Sequence, residues 1–223
     1  MQMARAVFFD LFETLITEFV DGKRISNRNY DYKALLGMEN KVFKREWGLR
    51  SDRRMRGHYP SFHAVIHEIL AAHDLTCPYA TLEQLHQERI QEKLLPFQHI
   101  DSRMYAMLQD LKDRGLQLGL ISNCTEEEVC GWQSSKLASY FDSVIFSYDA
   151  AMAKPDAAIY QLGCSQLGVK PEEAVFVGDG GSNELEGAAS AGMMPLHAFW
   201  YNTYAESPYP KLLQPEDLLR ELS

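Results

Sequence analysis

Four short segments of this 223-residue chain carry residue types that can do chemistry, and each lies where an apolar run stops or a helix begins. The run Ala6-Val7-Phe8-Phe9 ends on Asp10, with Thr14 shortly after it. A second run, Leu118 to Ile121, ends on Ser122-Asn123. In Ala153-Lys154-Pro155-Asp156 the proline suits the first turn of a helix and leaves Lys154 just ahead of it. A third run, Ala174 to Val177, passes through Gly178 to Asp179, enters Gly180-Gly181 and meets a second acid at Glu184. An Asp at a strand end can simply cap the next helix. Four such segments together supply more: a carboxylate nucleophile, a hydroxyl, a cation and an acidic pair.

The elements that must bring these groups together follow from periodicity. Strands are expected near Ala6–Phe9, Leu118–Ile121, Ser143–Phe146, Ala174–Val177 and Met194–Phe199, because short apolar runs suit strands covered on both faces. Helices are expected over Ser102–Arg114, which stops at Gly115, over Asp156–Leu167 and over Asn183–Ala191, which closes on Gly192. Alternating strands and helices predict an α/β fold, a Rossmann-like parallel sheet with right-handed crossovers. Ligands of such sheets bind at the carboxyl ends of the strands, where all four segments end.

One interval breaks the rhythm. Between Ile16 and Gln98 no convincing strand appears, and helical patterns follow one another around Tyr32–Trp47, Ser61–His73 and Thr81–Leu95. About 80 residues are too many for a loop, so residues 17–98 are expected to form an inserted α-helical cap on a core of residues 1–16 and 99–223, with linkers near Ile16–Gly22 and Leu95–Asp101. Such a cap would close over the site and set substrate choice. Within it, Lys41–His58 carries Lys41, Lys44, Arg45, Arg50, Arg53, Arg54 and Arg56 against Glu46 and Asp52. The run reads either as a solvated face or as arginines that grip an anionic substrate, with Trp47 and Tyr59 lining a pocket or packing in the cap's core. His63 and His67, four apart, could share a metal but lack an evident third ligand.

The segments FFDLFETL, LISN, AKPD and VGDGGSNELEGA resemble, in order, the four motifs of the haloacid dehalogenase superfamily of hydrolases, over about Ala6 to His197. The resemblance implies Asp10 as nucleophile, Ser122 as a hydrogen-bonder to phosphate and Lys154 as the lysine that neutralises charge. It implies Thr14 and Asn123 as substrate-binding residues. For Mg²⁺ it implies the Asp10 carboxylate, the Phe12 backbone carbonyl, Asp179 and, through the water shell, Glu184. The chemistry needs these types, because a carboxylate attacking a phosphate ester approaches an anion and cations must offset the repulsion. The expected reaction is hydrolysis of a small phosphorylated metabolite through an aspartyl-phosphate.

One position departs from that pattern. Phosphatases of the family generally carry an Asp two residues after the nucleophile to protonate the leaving oxygen, and this chain has Phe12. Glu13 is next to it but points to the opposite face of an extended segment. An aromatic residue here is typical of the metal-independent 2-haloacid dehalogenases, and Tyr160 resembles a tyrosine of that branch, although its helical spacing with Leu167 also fits core packing. The length and Gly-Asp opening of GDGGSNELE resemble the metal-dependent phosphatases instead. A dehalogenase-like hydrolase and a catalytically weak binding protein of the same fold are therefore the alternatives.

Composition agrees with a soluble enzyme. Hydrophobic residues make up 46%, and 31 acids against 22 bases give a formal charge of −9, which argues against nucleic-acid binding. No run approaches the roughly 18 apolar residues of a membrane span, and Asp10 interrupts any secretory core, so a cytoplasmic location is expected. Cys77, Cys124, Cys130 and Cys164 form no C-x-x-C pair and are expected to be reduced; Cys124, beside Ser122-Asn123, could be partly exposed near the site.

Overall fold

The strand Ala6–Phe9 (β1) lies in the middle of a six-stranded parallel sheet and is wholly buried. The computed structural model describes residues 4–26 and 29–222. The outermost residues assigned above to the core, 1–3 and 223, and residues 27–28 of the insertion lie outside the described residues. After β1 come a short antiparallel pair, β2 (Phe19–Val20) and β3 (Lys23–Arg24), and then helices α1 (Tyr32–Leu36), α2 (Asn40–Leu49), α3 (Ser51–Met55), α4 (Phe62–Ala71), α5 (Tyr79–Gln98) and α6 (Ser102–Asp113). The sheet resumes with β4 (Gln117–Ser122) and β5 (Ser143–Phe146), followed by α7 (Ser147–Ala150), α8 (Ala157–Leu167), β6 (Ala174–Gly178), α9 (Glu184–Ser190), β7 (Met194–Ala198), β8 (Lys211–Leu212) and α10 (Asp217–Glu221).

Strand order is β5-β4-β1-β6-β7-β8, so the chain leaves β1 first to one side and then to the other. This is the α/β, Rossmann-like sheet that the pattern predicts, and the reversal at β1 opens a crevice there. Alternation along β1 divides the core. Val7 and Phe9 pack with α6 residues Met104, Leu108 and Leu111 on one face, while Ala6 and Phe8 pack with α8 and α9 residues Ile159, Tyr160 and Leu185 on the other. Gly119 on β4 leaves room for Phe8, whose ring lies 2.3 Å from where a Cβ would stand.

Residues 32–98 are helical and bury their own cluster, with Leu36, Phe43, Phe62, Ile66, Ile69, Leu82 and Leu85 apart from the two clusters on the sheet. Asp31 caps α1 and Ser61 caps α4 through backbone N–H groups. Several boundaries differ from those read off the sequence. The expected helix Tyr32–Trp47 is split into α1 and α2 at Gly37, whose φ of +69° gives α1 a left-handed cap. The interval expected to lack strands holds β2 and β3, too short to show a period. The edge strand β8 was not foreseen for the same reason. No helix among the described residues is long and apolar enough to cross a membrane.

Candidate active site

Register delivers the chemical groups to one edge. Phe9 pairs with Leu120 of β4 and with Val177 of β6, so Asp10, Ser122 and Asp179 leave the sheet side by side. The Asp10 N–H donates to the Val177 carbonyl at 2.9 Å, which holds the first residue beyond β1 in line. Lys154 reaches in from the segment before α8, with its Nζ 2.5 Å from Asp10 Oδ1 and also ion-paired to Glu184 Oε2. Asp10, Asp179 and Glu184 are all buried, and one oxygen of each lies within 4.8 Å of the other two.

The local sequence explains this convergence. Any side chain at Gly178 would collide with the Glu184 carboxylate, whose Oε1 lies 2.2 Å from a Cβ built there; glycine lets the acid fold back under the strand end. Glu184 Oε1 then accepts from the Gly180 N–H at 3.1 Å. Tyr160 donates its hydroxyl to the Glu184 carbonyl at 2.7 Å, so this buried ring both packs the core and anchors the start of α9. Gly187 leaves space for that hydroxyl, 2.7 Å from where a Cβ would stand. Asn123 directs both ends of its carboxamide to the Lys154 backbone: Nδ2 donates to the Lys154 carbonyl and Oδ1 accepts from the Lys154 N–H, each at 2.8 Å. Thr14 and Ser122 are fully buried, and neither hydroxyl has a hydrogen-bond partner among the described residues.

Three residues that the sequence reading missed complete the surroundings. Asn202 donates to Asp179 Oδ2 at 2.9 Å, and Trp200 donates its indole N–H to the Thr14 carbonyl at 2.8 Å. His197 Nε2 lies 3.0 Å from the Asp179 carbonyl oxygen. All three sit at or just past the carboxyl end of β7, and that position was the available signal.

Electrostatics in this cluster favour a cation. Burial raises the Asp10 carboxyl above its ordinary range; Lys154 pulls it down and Asp179 pushes it up again. Glu184 is pushed well up by burial, against the pull of Lys154 and with the charges of Asp10 and Asp179 adding to the rise. Burial alone would discharge Lys154, but Asp10 and Glu184 outweigh it and keep the ammonium charged. Three carboxylates against one ammonium leave excess negative charge, which a further cation would relieve.

Other expected groups are placed elsewhere. Glu13, at φ +55°, accepts from Thr17 Oγ1 at 2.5 Å and from the Glu18 N–H at 2.8 Å, so its carboxylate is held by its own turn. Cys124 is fully buried rather than partly exposed, and burial pushes its thiol well up, which makes it unreactive. His67 is exposed and shares nothing with His63, which faces Glu83 and His86. The basic run is mostly paired: Arg50 and Arg53 with Glu68, Arg45 with Glu46, and Arg56 with Asp52 and Asp156.

Arg54 differs from the other arginines of that run. It is 7% exposed, lies over the Trp47 ring at 3.9 Å, makes no ion pair among the described residues and has an unpartnered Nε. It borders a cavity of about 700 Å³ between the helical insertion and the segments after β4 and β5, with Tyr59, Thr125, Trp132 and Tyr148 among its walls. Close contacts hold the insertion against the core beside this cavity. Lys93 joins Glu128, Arg89 joins Glu127 and Glu128, and Gly57 packs on the Tyr148 carbonyl, where a Cβ would stand 2.0 Å away.

A parallel sheet that gathers a buried carboxylate, a hydroxyl, a lysine and two more acids at its switch point defines an α/β core built for displacement chemistry. A family model described as haloacid dehalogenase-like hydrolase matches residues 4–192, and the chain belongs to this family of hydrolases. Among named relatives, it is 31% identical over 121 residues to pyrophosphatase PpaX of Bacillus cereus, covering 54% of this chain and 55% of that protein. The chain thus spans about half the length of that relative. It is 24% identical over 207 residues to glyceraldehyde 3-phosphate phosphatase of Methanocaldococcus jannaschii, covering 87% and 84% of the two chains. Two solved structures share the fold: a HAD phosphatase from Thermococcus onnurineus (TM-score 0.66, 23% identity, 98% of both chains) and a 2-haloacid dehalogenase from Pseudomonas syringae pv. Tomato (TM-score 0.68, 22% identity, 99% and 98%).

Proposed function

We propose that this hydrolase is a Mg²⁺-dependent phosphatase acting on a small phosphorylated metabolite, with Asp10 as covalent nucleophile. The observation that carries the reading is the buried cluster of three carboxylates within 4.8 Å of one another, two of them ion-paired to one ammonium. Hard oxygen donors of this kind suit Mg²⁺, so the residues present fit the ion that the family implies. Asp10, Asp179 and the Phe12 carbonyl would hold it, with Glu184 bound to its water shell. When bound, it would offset the repulsion between a carboxylate nucleophile and an anionic substrate. The phosphatase and pyrophosphatase names of the relatives support the same substrate bond.

One Asp10 oxygen attacks phosphorus while the ester P–O bond breaks, and the leaving oxygen takes its proton from water. Water then attacks the phosphorus of the aspartyl-phosphate, inorganic phosphate departs and the Asp10 carboxylate is restored. Lys154 offsets charge on the phosphoryl oxygens, and the unpartnered hydroxyls of Thr14 and Ser122 are free to donate to them. Asn123 acts as a positioning residue for Lys154, since both ends of its amide are committed there. Residues 17–98 serve as a cap over the core of 1–16 and 99–223, and Arg54 binds a second anionic group of the substrate from the cavity wall. Four free cysteines accord with a reducing cytoplasm.

Phe12 favours a second reading, metal-independent displacement of halide from a 2-haloacid, since no leaving oxygen then needs a proton. A panel of aryl and alkyl phosphates, pyrophosphate and 2-haloacids assayed with and without Mg²⁺ separates the two. Phosphate release that vanishes with chelator and returns with Mg²⁺ is expected. Halide release unaffected by chelator would replace the proposal with the dehalogenase.

A further inference from the structure

The helical insertion holds a second set of metal-type donors, which the proposed reaction does not use. His63 on α4 faces Glu83 and His86, which lie three residues apart on α5 and so share one side of that helix. One donor atom from each lies within 4.8 Å of the other two. His63 Nε2 is 3.1 Å from Glu83 Oε2, but their alignment makes no hydrogen bond, and this buried ring nitrogen has no hydrogen-bond partner among the described residues.

Ring geometry points the same way. The His63 and His86 ring centres are 5.1 Å apart with planes at 83°. Two imidazoles bound through nitrogen to one tetrahedral ion, at about 2.0–2.1 Å each, hold their ring centres roughly 5 Å apart. Both planes are set by stacking, His63 on Tyr79 and His86 on Phe62. Gln87 donates to Glu83 Oε1 at 2.8 Å and the Tyr79 hydroxyl reaches Oε2 at 3.5 Å, contacts that orient the carboxylate with Oε2 toward His63. A simple His63–Glu83 ion pair would account for one contact and leave His86 without a part.

We propose that His63, Glu83 and His86 bind a divalent transition-metal ion of the Zn²⁺ class, with a fourth position open to water. Two imidazoles and one carboxylate favour such an ion over Mg²⁺, which keeps to oxygen donors. The bound ion clips α4 to α5 within the insertion. His86 also borders the cavity, so the clip fixes part of its wall.

The test uses the full-length, tag-free chain stripped with chelator and kept in excess Mg²⁺, titrated with Zn²⁺ by calorimetry and with Co²⁺ by visible absorption. Expected are one equivalent of Zn²⁺, a four-coordinate Co²⁺ spectrum and a rise in thermal midpoint. All three are lost in Glu83→Gln and His86→Gln, changes at partly exposed helix positions outside the buried cluster of the insertion. Gln87→Ala weakens binding by about 10- to 100-fold. Asp179→Ala, which alters the carboxylate cluster and its contacts to Asn202 and Gly181 but none of His63, Glu83 and His86, leaves the Co²⁺ spectrum unchanged. Wild-type protein that binds no Zn²⁺, variants on α5 that bind it as tightly as wild type, or binding lost in Asp179→Ala overturns the proposal. None of these results bears on phosphatase activity, which is read separately.

Discussion

Asn123 and Lys154 hold each other through two reciprocal hydrogen bonds of 2.8 Å, so the residue after β4 fixes the backbone from which the buried Lys154 ammonium extends. Replacing Asn123 by Ala removes both bonds and lets Lys154 drift from Asp10 and Glu184. Misplacement of a catalytic group by about 1 Å costs on the order of 10²-fold. Asn123→Ala is therefore expected to lower kcat by about 10- to 100-fold with KM little changed, measured on an aryl phosphate. A rise in KM at constant kcat would instead make Asn123 a substrate contact.

Much of this was legible in the sequence, and the reason is local. Asp10, Ser122 and Asp179 each end an apolar run, and parallel pairing of three such runs brings their ends together without further information. Lys154 does stand ahead of a helix, but α8 starts at Ala157 behind an Asp156 cap, so Pro155 lies before the first turn rather than in it. His197 meets Asp179 because the pairing of β7 with β6 sets it opposite Gly178, whereas Asn202 reaches Asp179 from the segment beyond β7, a long-range fact with no periodic signature. The fate of the arginines was equally hidden. Arg50 and Arg53 find Glu68 on α4 and Arg54 slides over Trp47, and such pairings depend on how helices cross rather than on spacing along one of them.

The carboxylate cluster yields a paired prediction. Asp10→Asn is expected to drop turnover by far more than a hundredfold, since it removes the covalent route, while Asp179→Ala reproduces the effect of chelator. Neither change is expected to lower the thermal midpoint, because each removes negative charge from a buried cluster already in excess of it. Turnover in Asp10→Asn above about a hundredth of wild type would exclude the aspartyl-phosphate.

His197 links pH to stability. Its Nε2 faces the Asp179 carbonyl, to which it can only donate, and its Nδ1 lies 2.9 Å from the Ser207 hydroxyl, which donates to it when the ring is neutral. Burial holds its pKa below the usual 6.5, so the unfolded chain takes up this proton at a higher pH than the folded one. The contribution is whole above about pH 6.5 and is lost as pH falls through the folded pKa. Thermal midpoints followed from pH 7.5 to 5 are expected to fall more steeply in wild type than in His197→Gln. Parallel slopes would mean that another group sets the acid limit.

Arg54 tests how the cavity reads substrate. A hydrogen bond to a charged group is worth about 1.5–3 kcal/mol, or roughly 10- to 150-fold in affinity. Arg54→Met keeps the stem that packs on Trp47 and removes the charge. KM is expected to rise by about that factor for phosphate esters that carry a second anion, with kcat unchanged and little effect on esters that lack one. An equal loss on both kinds of ester would show that Arg54 supports the insertion rather than the substrate.

Phe12 is partly buried beside the core and has the Lys93 ammonium 5.5 Å from its ring, at the position where the motif leads one to expect an acid. The neighbouring carboxylate cannot take over without leaving its turn, since Glu13 is bonded to Thr17 and to the Glu18 N–H. Activated aryl phosphates, whose leaving group needs no proton, are therefore expected to react much faster than alkyl phosphates. Phe12→Asp should raise alkyl ester turnover specifically, by something on the order of the 10²-fold associated with general acid catalysis. Lys93 is close enough to favour the ionised form of the new carboxylate, so the gain should be largest at mildly acidic pH, where more of it carries its proton. Wild-type protein that cleaves both ester types equally well would mean that another group donates the proton. A folded Phe12→Asp variant with unchanged preference would mean that proton transfer does not limit the reaction.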